Sequence, residues 1–222
     1  MSPHVAVIDP GMRVAELDCF NRMVLRSPIP LTYHLPALFG LDSLRRVESE
    51  LRGVVIFGSG ASVHDDLPWQ HELVAWLAPR VRSGMPALGL CYGHQLLATL
   101  LGGEVGYLHP DRRKEVGHRR VPLRATAAWD AGAPELVVSH REAVVRVPDG
   151  VDVVGSTEVC AVEAFAHRTL PVFGVQAHPE ATPAFLHNNQ VPWDTTSAEL
   201  AGGHALVDGF LSRVVAGRGT RA

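Results

Sequence analysis

The sequence predicts an α/β fold: a doubly wound, mostly parallel sheet with helices on both faces and antiparallel strands added in the second half. Two observations carry this expectation. Apolar runs of strand length alternate with helically spaced apolar residues through the first hundred positions, the pattern of a parallel sheet covered on both sides. From Val105 onward the chain breaks into short strand-like runs separated by turn residues such as "PDG", which suits antiparallel edge and meander strands.

Taken in order, "HVAVID" (residues 4–9) reads as a buried first strand, and Val14, Leu17, Phe20 and Val24 then recur near helical spacing until "SPIP" ends the segment. "LTYHL" alternates apolar and polar like a strand, and "GVVIF" (residues 53–57) is another buried strand. Trp69, Leu73, Trp76, Leu77 and Val81 mark one helical face, closed by "RSG". The strand "PALGL" runs at once into the helix "HQLLATLL", with Gly102 as its C-terminal cap. The short strands that follow are "EVGHRRVPL", "ELVVSH", "AVVRV", "DVVGS", "CAVEAFA" and "PVFGVQ". "SAELAGGHALVDGFLSRVVAG" reads as a final amphipathic helix. With no internal repeat or low-complexity linker, residues 1–222 form a single domain in this reading.

Composition narrows the function. A hydrophobic fraction of 46% and a charged fraction of 19% are those of a soluble globular chain. A net charge of -3 argues against general affinity for nucleic acid or an anionic membrane surface. The basic run "DRRKEVGHRR" (residues 111–120) reads as a solvated face. No apolar stretch approaches the roughly 20 residues that span a bilayer, and the N-terminus lacks the basic start of a secretory signal. Cys19, Cys91 and Cys160 form no CxxC pair, which argues against a disulfide framework or a thiolate zinc site. The expectation is a cytoplasmic chain whose thiols are reduced. Lys114 is the only lysine, so there is no GxxxxGK[ST] loop and no P-loop nucleotide site.

Three segments fall where strands of a parallel sheet end, and ligands of open α/β sheets bind beyond the carboxyl ends of the strands. The first is "GLCYGHQ", in which Cys91 lies between Gly89 and Gly93 at a strand-to-helix turn. Flanking glycines relieve crowding at a strained turn that exposes a nucleophile, and the positive helix end favours a thiolate. A small buried thiol is the competing reading. The second is "GVQAHPE" (residues 174–180). A cysteine nucleophile needs a base and the base an orienting group, and in an extended segment His178 and Glu180 share one side. The competing reading is a surface loop with unrelated polar residues. The third is "GSGASVHDD", whose backbone N–H groups suit an oxyanion. A dinucleotide fingerprint also begins this way, but its third glycine is absent and no helix start follows.

Together "PALGLCYGHQLLATLLGG", "GVQAHPE" and "GSGASVHDDLPW" resemble the three signature blocks of class I (triad-type) glutamine amidotransferases, in particular the glutaminase domain of GMP synthase and its free-standing relatives. "KEVGHRRVPL" and "VVSHREAVV" fit as well, so the resemblance covers most of the chain. It implies a flavodoxin-like sheet. It also implies that Cys91 attacks the side-chain amide of glutamine, that His178 shuttles the proton and that Glu180 orients His178. The Tyr92 backbone N–H would form half of an oxyanion hole. The other half would come from Gly58, Ser59 and Gly60, where the family usually reads Gly-Gly-Pro, so the donor falls on Ser59. Gln95, Ser139 and His140 match positions that line the glutamine pocket.

The resemblance calls for no metal or cofactor. Cys19 and Cys160 read as core thiols on a helix and a strand, and His64, His71, His109, His118 and His167 have no metal-ligand spacing. Two functions follow. One is a glutaminase subunit that supplies ammonia to a separate synthase, its substrate glutamine. The other is a free-standing γ-glutamyl hydrolase that acts on γ-glutamyl amides without a partner. A regulatory module that binds glutamine without turnover is a third reading.

Overall fold

The computed structural model describes residues 2–193 and 199–218. The first half alternates as the sequence predicts. The chain runs through β1 (His4–Ile8), α1 (Leu17–Arg26), β2 (Leu31–His34), α2 (Pro36–Phe39), α3 (Asp42–Val47) and β3 (Leu51–Ile56). It continues through α4 (Pro68–Arg82), β4 (Ala87–Leu90) and α5 (Tyr92–Leu100). The second half holds β5 (Glu104–Tyr107), β6 (Glu115–Arg120), β7 (Glu135–His140), β8 (Glu142–Arg146), β9 (Val151–Gly155), β10 (Ala164–His167) and β11 (Val172–Val175). Two helices, α6 (Pro183–Asn188) and α7 (Ala201–Gly209), close it.

Seven strands form one sheet in the order β2-β1-β3-β4-β11-β10-β9. The five from β2 to β11 are mutually parallel, and β10 and β9 extend the β11 edge antiparallel. β1, β4 and β11 are buried throughout, as strands covered on both faces must be. One face carries α1, α6 and α7 over a core that includes Met23, Leu90, Phe173, Phe185, Val207 and Phe210. The other carries α3, α4 and α5 over Ile8, Leu44, Ile56, Leu77, Val81 and Leu97. Burying one such side chain contributes about 1.5–3 kcal/mol, so each face contributes substantially to stability.

Several expectations are corrected. α1 forms, but its buried stripe is Cys19 and Met23, while Val14, Leu17 and Val24 are exposed. Tertiary contacts chose between two stripes that spacing alone did not separate, because α1 packs beside α6 and α7. The added antiparallel strands do not all join the main sheet. β5 pairs only with β8 and β6 only with β7, in two separate two-stranded ribbons. Neither β5 nor α6 is among the expected elements. "CAVEAFA" contributes only its last residues to β10, and buried Cys160 lies in the preceding loop rather than on a strand. Ser197 and Ala198, expected to open the last helix, lie outside the described residues. α7 starts at Ala201 and passes into a π-helical stretch, Phe210–Val215.

The basic run is also not uniformly solvated. Arg119 is largely buried, with guanidinium nitrogens 2.6 Å from Glu163 and 3.0 Å from Glu115. Glu163 is fully buried beneath β6, so the pair belongs to the interior, where removing either partner strands a charge.

Candidate active site

The sharpest backbone feature lies where β4 meets α5. Cys91 has φ 51° and ψ -103°, a left-handed conformation that costs a non-glycine residue about 1–3 kcal/mol. It is held by the Cys91 N–H donating to the Val175 carbonyl at 2.9 Å, which ties the turn to β11. The flanking glycines are there for close approach. A Cβ on Gly89 would lie 2.2 Å from the Gly93 carbonyl oxygen, and one on Gly93 would lie 2.3 Å from that of Ile56. α5 is thereby pressed against β3 and β4 with no room for a side chain. The Tyr92 ring anchors the start of α5, its hydroxyl accepting from Gln70 Nε2 at 3.1 Å.

His178 and Glu180 follow β11, so they reach the same sheet edge as Cys91. The His178 N–H donates to the Val137 carbonyl of β7 at 2.8 Å, so the β6–β7 ribbon sets where "HPE" lies. His178 Nδ1 and Glu180 Oε1 are 2.9 Å apart, both buried. Burial alone would lower the His178 pKa, but the charges of Cys91 and Glu180 and hydrogen bonds to both outweigh it and raise it. Such a shift is expected of an imidazole between two anionic partners.

Gly58 packs where these side chains meet. A Cβ there would lie 2.6 Å from His178 Cε1 and 3.6 Å from the Cys91 Cβ. Gly58→Ala is therefore expected to push the imidazole aside. Displacements of about 1 Å at reacting groups cost on the order of 100-fold in rate, so kcat for any Cys91-dependent reaction should fall by that order. A wild-type kcat in this variant would mean that the imidazole position is unimportant.

The loop after β3 supplies donors. The N–H groups of Gly58, Ser59, Gly60 and Tyr92 have no acceptor among the described residues. The loop lacks a stiffening proline, but the Ser59 hydroxyl donates to the Pro10 carbonyl at 2.8 Å and accepts from the Ala61 N–H at 3.1 Å. One side chain thus does by hydrogen bonding what a proline ring would do covalently.

Two cavities flank the pair. One, of about 370 Å³, is lined by Ser59, Gly60, Cys91, Tyr92, Gln95, Ser139 and His140, with Asp65, Lys114, Arg141 and Glu142 among the others. The second, of about 420 Å³, holds Gly58, His178 and Glu180 with Asp9, Glu16 and Met12, and shares Ser59, Gly60, Lys114 and Ser139 with the first. All ten residues singled out in the sequence therefore converge on one region. His140 is buried, with Nδ1 3.0 Å from the Glu142 carbonyl, and burial lowers its pKa to about 4, so the ring is neutral near pH 7. Gln95 Nε2 is already committed to the Glu142 carbonyl at 2.8 Å and to Gln176 Oε1 at 3.2 Å.

Sequence reasoning misses Gln176 as a site residue. Its Nε2 lies 3.9 Å from Cys91 Sγ, so it links Gln95 to the thiol. The signal was an amide at the end of the apolar strand "PVFGVQ", two residues before His178. Lys114 and Glu142 also carry no sequence signal as cavity residues. Among the described residues no cluster of three His, Cys, Asp or Glu side chains could hold a metal ion, and no helix is long and apolar enough to cross a membrane.

Known proteins resemble this chain in sequence and fold. A family model described as glutamine amidotransferase class-I matches residues 35–190. The chain belongs to that family. A subunit of the GMP synthase [glutamine-hydrolyzing] of Methanocaldococcus jannaschii is 37% identical over 149 residues, covering 62% of this chain and 70% of that protein. The corresponding protein of Methanopyrus kandleri is 36% identical over 137 residues, covering 60% and 69%. For a GMP synthase [glutamine-hydrolyzing] of Caldicellulosiruptor saccharolyticus the match, 32% over 138 residues, covers 60% of this chain but only 25% of the relative. A glutamine amidotransferase structure from Methylobacillus flagellatus superposes with a TM-score of 0.71 at 22% identity, covering 98% of this chain and 96% of that one. One from Thermotoga maritima gives 0.69 at 17%, covering both chains fully. These last two bear on the fold, which is that of class I amidotransferase domains.

Proposed function

We propose that this amidotransferase hydrolyses the side-chain amide of glutamine through a γ-glutamyl thioester on Cys91 and delivers the ammonia to a separate synthase. The observation that carries the reading is His178 between Cys91 and Glu180, beside a cavity rimmed by open backbone N–H groups. The Cys91 thiolate attacks the amide carbon, forming the C–S bond and a tetrahedral oxyanion. The N–H groups of Tyr92 and Ser59 stabilise that oxyanion. His178 gives its proton to the departing nitrogen, the C–N bond breaks and ammonia leaves. A water then attacks the thioester while His178 takes its proton, and glutamate departs with the thiolate restored. Glu180 holds the imidazole oriented and balances its charge.

A separate synthase is supported by the two archaeal relatives, each named as one subunit of a GMP synthase, of which the matched stretch covers 69–70%. The test is ammonia and glutamate release by the purified chain, alone and with each synthase encoded beside it. Stimulation by one of them is expected, and equal rates with and without all of them would count against a partner-dependent role.

The second cavity favours a second reading, a γ-glutamyl hydrolase with no partner. Its 420 Å³ beside His178 leave room for a leaving group larger than ammonia. Cleavage of γ-glutamyl peptides faster than glutamine would select this reading.

Both readings share one prediction. His178→Ala should cost more activity than Glu180→Gln, the latter being milder by roughly 10- to 100-fold, since orienting groups contribute less than the base. Steady-state kinetics of the two variants decide it. The reverse order would place the orienting role elsewhere.

A further inference from the structure

The N–H groups that would hold the oxyanion come from two separate elements. Tyr92 opens α5, whereas Gly58, Ser59 and Gly60 lie on the loop after β3. An oxyanion hole works only when its donors converge on one point, about 2.7–3.1 Å from each, so the loop and the helix must be held in register. Gln70, in the first turn of α4, is a side chain that touches both. Its Nε2 donates to the Ser62 carbonyl at 2.7 Å and to the Tyr92 hydroxyl at 3.1 Å. Its Oε1 accepts from the Leu67 N–H at 3.2 Å. A carbonyl only accepts and a backbone N–H only donates, so these partners fix which way the amide faces.

Both N–H groups of the amide and its oxygen are thereby committed, and the side chain is buried. The Ser62 carbonyl also accepts from the Asp65 N–H at 3.2 Å, but Asp65 belongs to the same loop and that bond does not reach α5. Trp69, the neighbour of Gln70 on α4, lies against the Tyr92 ring with centroids 5.9 Å apart. Ser62 and Tyr92 line the Cys91 cavity beside Ser59 and Gly60, and the Gln70 amide braces them from α4.

We propose that Gln70 is a positioning residue for the oxyanion hole. It keeps the Ser59 and Tyr92 N–H groups at the separation that a tetrahedral oxygen requires. The inference rests on reading those two groups as the oxyanion donors, and it adds the residue that holds them together. Cys91 and His178 are fixed independently, by bonds from their own N–H groups to the Val175 and Val137 carbonyls. The defect expected on losing Gln70 therefore lies in stabilising the oxyanion and not in forming the thiolate.

Three variants test this. Gln70→Met keeps the length of the side chain and removes all three hydrogen bonds. Gln70→Glu keeps an acceptor for Leu67 but sets a carboxylate oxygen against the Ser62 carbonyl. Tyr92→Phe removes one bond only. In both Gln70 variants kcat for glutamine should fall by about 10- to 100-fold, less than the loss from deleting a donor outright. Tyr92→Phe should lose less, and KM should change little in all three. Thioester formation and thioester hydrolysis both pass through an oxyanion, so kcat reports on the hole whichever step is slower. Alkylation of Cys91 by iodoacetamide is the control: the C–S bond forms as iodide leaves, and no oxyanion develops. Its rate, read by mass spectrometry of the Cys91 peptide, should match wild type.

A wild-type kcat in folded Gln70→Met would overturn the brace and leave the glutaminase reading intact. A parallel loss of alkylation rate would also overturn it, by showing that the whole elbow had moved. Should the Gln70 variants not fold, Tyr92→Phe decides: a lower kcat with unchanged alkylation supports the brace, and a wild-type kcat overturns it. Failure of the wild type to release ammonia from glutamine, with or without a synthase, would overturn the glutaminase reading and the brace with it.

Discussion

Replacing Cys91 with alanine is expected to lower glutamine turnover by about 10⁴-fold or more, the scale on which removing a nucleophile acts in triad enzymes. The fold should be unaffected, and the backbone gives the reason. Cys91 already sits at φ 51° with a Cβ, and alanine keeps that Cβ, the strain and the N–H donated to Val175. What disappears is the sulfur's interaction with His178 and the long approach of Gln176 Nε2, at 3.9 Å. A melting temperature close to wild type, measured beside the kinetics, separates lost chemistry from lost structure. Residual activity above a few per cent would refute Cys91 as the nucleophile.

Gly93→Ala should act through stability instead, lowering the melting temperature of the chain. Its Cβ would stand 2.3 Å from the Ile56 carbonyl oxygen and 2.8 Å from the Ile56 Cβ, both in the central strand β3. Neither atom can rotate away, so α5 would have to lift off the sheet and pull Leu96 and Leu97 out of the core. Overpacking of rigid backbone of this kind costs about 3 kcal/mol or more. For a domain of this size that is a fall in melting temperature of about 6–12 °C. Thermal unfolding followed by circular dichroism measures it. A shift under about 2 °C would mean that the elbow tolerates a wider separation than its geometry shows.

The parallel half of the fold was legible because a strand buried on both faces must be apolar along its whole length. "HVAVID", "GVVIF" and "PALGL" are such runs, and each became a strand within one or two residues of its expected ends. The site was legible for a related reason. Gly89, Cys91 and Gly93 are placed by local backbone geometry, and His178 and Glu180 by their spacing of two. What failed depends on long-range packing. The buried stripe of α1 could be read two ways from spacing, and Cys19 and Met23 won only because α6 and α7 lie beneath them. The pairing of β5 with β8 and of β6 with β7 follows from a chain path that no local pattern encodes. The same holds for Lys114, which is exposed as its run suggests and yet lines the cavity together with Ser139.

The central claim is a covalent glutamyl intermediate on Cys91, and the most direct measurement is to trap it. The chain would be mixed with saturating glutamine, quenched in acid within one turnover, digested and read by mass spectrometry. The account predicts a γ-glutamyl group on the peptide carrying Cys91, removed by hydroxylamine and absent from Cys91→Ala. Ammonia release by a chain with no adduct there, or one that persists in Cys91→Ala, would contradict it.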